Sequence, residues 1–442
     1  HALLVYHITL LFIGHWQHCS LFSQTCLLAK MEESLMETEP TDVVEHSILN
    51  ENVISAQEPA EQVLETEESV YRYPSLFTSR SLVELSSSSW SRGASAKEEF
   101  QPYLRGCKWS TDGTCCLTVV NSDGVHVMEL PKDLYSGSAS TDRMIDILGS
   151  VIHVKEAGLV YDFCWFPGMN SALPETCCWV TTRQNAPVQL WDAFNGSLRC
   201  SYRGFNAVDE MEPALSVTFT QGGSRIVAGS VYQIFVFFFS RPGRDFAEHR
   251  ISSPASCFAT TDNLLAVGSW NTTISLYNVS ELGYPITGGV THMKFAPDGL
   301  RLVSGARKDH RLLIWDIRYY RRPLNILSRA VDTNQRIYFD ISPCGKYLVT
   351  GGTDGIVKVW DCNQVDWKSS FPLHNDCCNS VSIHPCRPIL ATGSGQYHFK
   401  NPTAEEDGPT NKDSLCDTDM KYSDRAENSL VFWWIGDVPD VT

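Results

Sequence analysis

Phe295-Ala296-Pro297-Asp298-Gly299 is followed by Leu302-Val303-Ser304-Gly305 and then by Leu312-Leu313-Ile314-Trp315-Asp316. The pattern returns 46 residues later as Ile341-Ser342-Pro343-Cys344-Gly345, Leu348-Val349-Thr350-Gly351 and Val357-Lys358-Val359-Trp360-Asp361. Each copy reads as an apolar strand, a tight turn carrying Pro and Gly, a second strand, a polar turn and a third strand ending in Trp-Asp. One such unit cannot bury both of its faces, so it has to stack on copies of itself. That is the signature of a WD-type β-propeller blade.

Further copies lie on both sides. The residue preceding each first turn is Trp109, Trp165, Phe219, Phe258, Phe295, Ile341 and Ile383, with gaps of 56, 54, 39, 37, 46 and 42 residues. These scatter around the repeat length of about 40–45. The fold class expected is all-β, a seven-bladed WD-repeat propeller over residues 100–437. The Trp-Asp pair survives at Trp191-Asp192 as well. The Gly-His pair of regular repeats is missing, so the His–Asp–Ser–Trp network of an ideal blade is expected only in part: Ser304, Asp309 and Trp315, then Thr350, Asp354 and Trp360. In the last blade Leu390-Ala391-Thr392-Gly393 and Leu430-Val431-Phe432-Trp433-Trp434 are separated by a polar stretch, 399–428, expected to be a disordered insertion. With no strand evident after Trp434, and 438–442 a short tail, ring closure is expected from the segment around Phe100–Leu104.

The net charge of −16 is unevenly spread. Residues 31–100 carry 15 acidic and 4 basic side chains, whereas 101–399 hold 26 of each. A polyanionic partner therefore remains compatible with the body. Residues 31–99, Glu- and Ser-rich without periodicity, read as a disordered acidic N-terminal segment. Residues 1–30 are apolar with scattered His and Cys, and the switch at Met31 suggests a natural start there. The 16 cysteines include adjacent pairs but no doubled Cys-x-x-Cys, which points to buried, reduced thiols. No Walker loop, Gly-x-Ser-x-Gly elbow or His-Glu-x-x-His occurs. The expectation is a chain that is not an enzyme and has no metal, cofactor, small-molecule substrate or membrane span.

In a blade, b–c turns and d–a links lie at one end of the ring. This places Arg183, Arg307, Lys308, Arg336 and Tyr338 on one rim, cations beside an aromatic, as single-stranded RNA recognition requires. Alternation should bury Ile337, Phe339 and Ile341 and turn Arg336 and Tyr338 to the other side. The opposite rim offers Arg241, Arg244, Arg318, Arg321 and Arg322 as the alternative. Residues 301–336 hold nine basic and three acidic side chains. Salt-bridged scaffold cations are the competing reading for each residue.

Arg105-Gly106-Cys107-Lys108-Trp109, Tyr161-Asp162-Phe163-Cys164-Trp165, Trp191 to Gly196, Arg241-Pro242-Gly243-Arg244-Asp245, Gly305 to Asp309, Thr333 to Asp340, Ser394-Gly395-Gln396 and Trp433-Trp434 together resemble the telomerase Cajal body protein 1 family. The match spreads over residues 101–436. The resemblance implies an RNA-binding scaffold for small Cajal body RNAs and, where present, telomerase RNA, directing H/ACA-type ribonucleoproteins to Cajal bodies. It implies H/ACA proteins as partners and a nuclear location, with some protein in the cytoplasm. The runner-up is a propeller holding protein or histone peptide partners, with RNA association indirect.

Overall fold

The computed structural model describes residues 76–91, 101–136, 143–156, 158–277, 288–362, 366–398 and 426–437, all within one compact unit, Tyr71–Thr442. The leader 1–30, residues 31–75, most of the 399–428 insertion and the tail 438–442 lie outside the described residues. The described strands form seven antiparallel blades. Their innermost (a) strands are Leu104–Trp109, Val160–Trp165, Ser216–Thr220, Ala255–Thr260, Val290–Phe295, Phe339–Ile341 and Cys378–Ile383. Among the described residues blade four has three strands and blade seven five, the fifth being Asp146–Ile147 paired parallel to Val83–Ser89; the other blades have four. Blades one, two, four, five and seven each carry a one-residue bulge near the start of the a–b ladder, at Arg105, Tyr161, Ser256, Thr291 and Asn379. Such a bulge re-aims side chains at one end of a strand.

Apolar residues facing between blades supply the core. At the seam of blades seven and one, Leu104, Cys107, Trp109 and Cys116 pack on Ile389, Ala391, Leu430 and Phe432, and the Trp109 and Phe432 rings lie 4.6 Å apart. Each large apolar side chain buried in this way contributes about 1.5–3 kcal/mol. All 13 described cysteines are free thiols, and desolvation raises the pKa of buried ones, pushing Cys257 up to about 12.

The closing strand corrects the sequence reading. Val83–Ser89 pairs antiparallel with Ser429–Trp434 as the fourth strand of blade seven, so the ring closes from within the segment expected to be disordered. Leu104 instead begins the first strand of blade one. Leu85 is fully buried and Ser86 with it, while Leu76 and Phe77 pack against Tyr347 and Phe371 of blade six. Closure buries the edge that Ser429–Trp434 would otherwise present.

The Trp networks also differ from expectation. Trp315 donates its indole N–H to Ser304 Oγ at 2.9 Å, and Asp309 holds Arg311. Trp191 bonds Thr181 at 2.9 Å, while Asp192 caps the following turn through the N–H groups of Phe194 and Asn195. In blade six, Thr350 accepts from Arg329 and donates to Gly351 O, and Asp354 accepts from the Ile356 N–H. The full four-residue network is in blade seven, where it was not anticipated. Trp433 donates to Thr392 at 2.7 Å, Thr392 meets His374 Nε2 at 2.7 Å, and His374 Nδ1 meets Glu427 at 2.6 Å. Glu427, at the end of the long b–c connection, is held down to about 2, because hydrogen bonds and the charge from His374 outweigh desolvation.

Candidate nucleic-acid interface

The rim formed by b–c turns and d–a links is stitched together by backbone hydrogen bonds. Ile251 N–H donates to Tyr232 O at 2.8 Å, Trp270 to Pro254 at 3.2 Å, Arg307 to Gly289 at 3.0 Å and Lys308 to Thr333 at 3.2 Å. These bonds set the b–c turns of blades three, four and five side by side.

The five candidate residues of this rim separate into two groups. Lys308 faces outward, and Arg307 beside it is half-buried. The Arg307 guanidinium lies 4.5 Å from the centroid of Trp270, and its Nε has no hydrogen-bond partner among the described residues. Lys308 is exposed, has no ion pair among the described residues, and adopts a left-handed φ of +48°. Such backbone costs a non-glycine residue about 1–3 kcal/mol and concentrates at functional sites. Arg183, by contrast, is 3.3 Å from the buried carboxylate of Glu156 and donates to Gln189. It neutralises Glu156, whose pKa burial pushes up.

Arg336 and Tyr338 do not reach this surface. Arg336 donates to Asp162 at 2.9 Å, to Ser256 O at 2.8 Å and to the Tyr338 hydroxyl at 3.2 Å. Burial opposes its charge, but Asp162 and then Tyr338 outweigh that and raise its pKa. Tyr338 is only 4% exposed. Its ring lies 4.7 Å from His292 and so close to Gly106 that a Cβ there would be 3.0 Å away. Alternation misplaced it because an innermost strand has no solvated face: one side meets the neighbouring blade and the other meets the packed centre. The aromatics that sequence reasoning missed are Trp270, 44% exposed, and Tyr232, 67% exposed, both in b–c turns. Their signal was a large ring inside a polar turn, outside any strand pattern.

Around Arg336 the innermost strands carry a further charged cluster. Lys108 donates to Phe163 O at 2.5 Å and lies 3.8 Å from Asp162; Lys294 pairs with Asp340. Desolvation works against the Lys108 charge, but Asp162 raises its pKa above the usual lysine value. Asp162 and Asp340 repeat one device: each accepts from the next N–H in its own strand and from an N–H of the following blade, Val217 and Ile383 respectively. These carboxylates join blades and hold cations at the same time.

On the opposite rim Arg241 is 3.4 Å from Asp245, Arg318 grips Asp316 with two bonds, and Arg244 pairs with Asp209 while lying 4.0 Å over Phe205. Asp209 belongs to the long link entering blade three, so Arg244 is not confined to the turn end where the sequence placed it. Arg321 and Arg322 are exposed with no ion pair among the described residues, beside Tyr319, which is 77% exposed.

Fold and surface together define a WD-repeat propeller, a scaffold fold. Residues 281–316 and 334–361 match the family described as WD domain, G-beta repeat. The chain is 42% identical over 378 residues to a Drosophila melanogaster protein named telomerase Cajal body protein 1 homolog, covering 80% of this chain and 69% of that one. It is 39% identical over 377 residues to telomerase Cajal body protein 1 of Bos taurus, covering 80% and 68%, and 39% identical over 377 residues to that of Homo sapiens, covering 80% and 67%. The chain belongs to the telomerase Cajal body protein 1 family.

Proposed function

We propose that this chain is an RNA-binding scaffold that holds small Cajal body RNAs, and telomerase RNA where present, and directs H/ACA-type ribonucleoproteins to Cajal bodies in the nucleus. The observation that carries the reading is the Arg307–Trp270 stack beside the unpaired Lys308, in a chain of this family. A guanidinium and an ammonium meet phosphates, and a half-exposed indole offers a face on which a base stacks. Arg183, Arg336 and Tyr338 enter this reading as the scaffold behind the rim, with Tyr232 as an added platform.

Crosslinking and sequencing of bound RNA tests the function, and quantitative retention tests the site. Reversing Arg307 and Lys308 to Glu is expected to abolish retention at physiological salt, and Trp270→Ala to cost about 1–3 kcal/mol if a base stacks there. Each cation that meets a phosphate should lower the salt slope by about 0.7 when removed. Undiminished binding by the double reversal moves the site to Arg321 and Arg322. A second reading, a propeller for protein or peptide partners, draws on Met144, Ile145, Ile147 and Val151, exposed at 83%, 56%, 92% and 55% beside blade seven's closing strand. Recovery of protein partners without crosslinked RNA would favour it.

A further inference from the structure

The outer half of blade one brings together three metal-ligating side chains that none of these roles uses. His126 on its third strand and His153 on its fourth are cross-strand partners, and directly opposed residues of an antiparallel pair share a face. Their imidazoles stack with centroids 4.2 Å apart and planes 8° from parallel. Asp123 comes from the turn before the third strand. Gly124, at φ +120°, lets that turn press so near Val154 that a Cβ would collide with the Val154 carbonyl. Asp123 Oδ2 consequently lies 2.9 Å from His126 Nε2, and Oδ1 lies 3.3 Å from His153 Nε2.

His153 Nε2 already meets the Asp123 backbone carbonyl at 3.0 Å, a contact that a bound ion would replace. Ser150 donates its one hydroxyl proton to Ile152 O at 2.7 Å, so toward His126 Nδ1, 3.2 Å away, it accepts. With Nδ1 turned to Ser150, Nε2 is the His126 nitrogen that faces the carboxylate. A proton shared between Nε2 and the carboxylate, or a metal ion in its place, satisfies both atoms. A single ion where His126 Nε2, His153 Nε2 and the Asp123 carboxylate meet would take all three as ligands, in exchange for the His153 bond to the Asp123 carbonyl.

We propose that Asp123, His126 and His153 form a transition-metal site suited to Zn²⁺. Two imidazoles and a carboxylate are a donor set that zinc accepts with one position open, and Ser150 orients His126 from behind as such ligands require. All three ligand atoms lie within 4.8 Å of one another. Bonds of about 2.0–2.1 Å bring tetrahedral ligands about 3.4 Å apart, so the carboxylate contacts already have the right span. Parallel lone pairs do not converge, so the two rings must splay on binding. Trp90, at the end of the closing strand, sets its ring edge-on 5.4 Å from His126, which places the ion where it would clamp blade one to the ring closure.

The test is calorimetric titration of Zn²⁺ into the full chain after metal removal, with thermal melting alongside and Cu²⁺ and Co²⁺ as spectroscopic probes. One site per chain is expected, with a melting temperature raised by about 5 °C at 100-fold excess over Kd. The Cu²⁺ signal should show coupling to two imidazole nitrogens. His153→Gln, a substitution at a 40% exposed side chain, should lose the melting shift, and Asp123→Asn should weaken binding at least about 10-fold. A shift that survives His153→Gln, or Co²⁺ absorption with intense thiolate charge transfer, would assign the ion to cysteines and overturn the proposal. No Zn²⁺-dependent melting shift in the parent chain would overturn it equally.

Discussion

Mild acid should weaken the ring at one identifiable imidazole. His384, fully buried, sits at the seam of blades seven and one with its ring 4.8 Å from Trp109. Its Nε2 donates to Gly113 O at 2.9 Å, and its Nδ1 accepts the N–H groups of Cys386 at 3.1 Å and Arg387 at 3.0 Å. Gly113 is in left-handed backbone at +75°, where a Cβ would strike this ring. Only the neutral imidazole fits, because a second ring proton would point at two donors. Burial pushes its pKa from 6.5 down to about 4. Between those values the unfolded chain binds a proton that the folded chain refuses, so stability falls as pH drops through this window. At about 1.4 kcal/mol per pH unit the full gap is worth about 3 kcal/mol, of which about 2 kcal/mol is lost between pH 7.5 and pH 5.

The assay is urea unfolding of the parent and of His384→Asn at both pH values. Asn keeps an acceptor for the two N–H groups and does not titrate, so the variant should be less stable at pH 7.5 and close much of the gap at pH 5. Burial also lowers the pKa of His126, His249 and His292, so both proteins should weaken in acid, and the difference between them isolates His384. A stability difference that is the same at pH 7.5 and pH 5 would refute the reasoning.

A chain beginning at Leu76 should keep a cooperative unfolding transition, whereas one beginning after Trp90 loses the closing strand and should lose that transition or self-associate; denaturation and light scattering distinguish these results. Asp162→Ala, which strands Lys108 and Arg336 in a buried centre, should cost about 3–5 kcal/mol by urea unfolding. Trp433→Phe removes one indole bond to Thr392 while His374 still satisfies that hydroxyl, so its cost should stay near about 1 kcal/mol.

The blades were legible because their turns and strands carry local signals: Pro-Asp-Gly before the second strand and Trp-Asp after the third. The closing strand was not. Val83-Glu84-Leu85-Ser86-Ser87-Ser88-Ser89 has a single deeply buried apolar anchor, Leu85, and its serines read as low complexity. Edge pairing asks mainly for a free backbone and small side chains, which composition does not separate from a linker. His374, Thr392, Glu427 and Trp433 stayed hidden for another reason: the acid of this network arrives after a connection running from 395 to 428, far from its usual tight turn. Asp123, His126 and His153 match no ligand spacing, because a cross-strand pairing, not sequence distance, unites them.

The candidate surface shows what charge counting leaves out. A body with 26 residues of each sign between 101 and 399 looks indifferent to polyanions. Its carboxylates are nonetheless spent selectively. Asp162 holds Arg336 and lies near Lys108, Glu156 holds Arg183, and Asp209, Asp245 and Asp316 hold Arg244, Arg241 and Arg318. Among the described residues these contacts leave two pairs of the original candidates without an ion pair, half-buried Arg307 with exposed Lys308, and exposed Arg321 with Arg322. Exposed pairing is worth at most about 1 kcal/mol, so Arg241 and Arg318 can be recruited by a phosphate at little cost. Arg336 cannot, because moving it would leave Asp162 buried without its nearest cation. The neutral total is thus compatible with a local cationic rim, and under the proposed reading the rim that also carries Trp270 and Lys308 would supply the charge and the stacking face for a single strand.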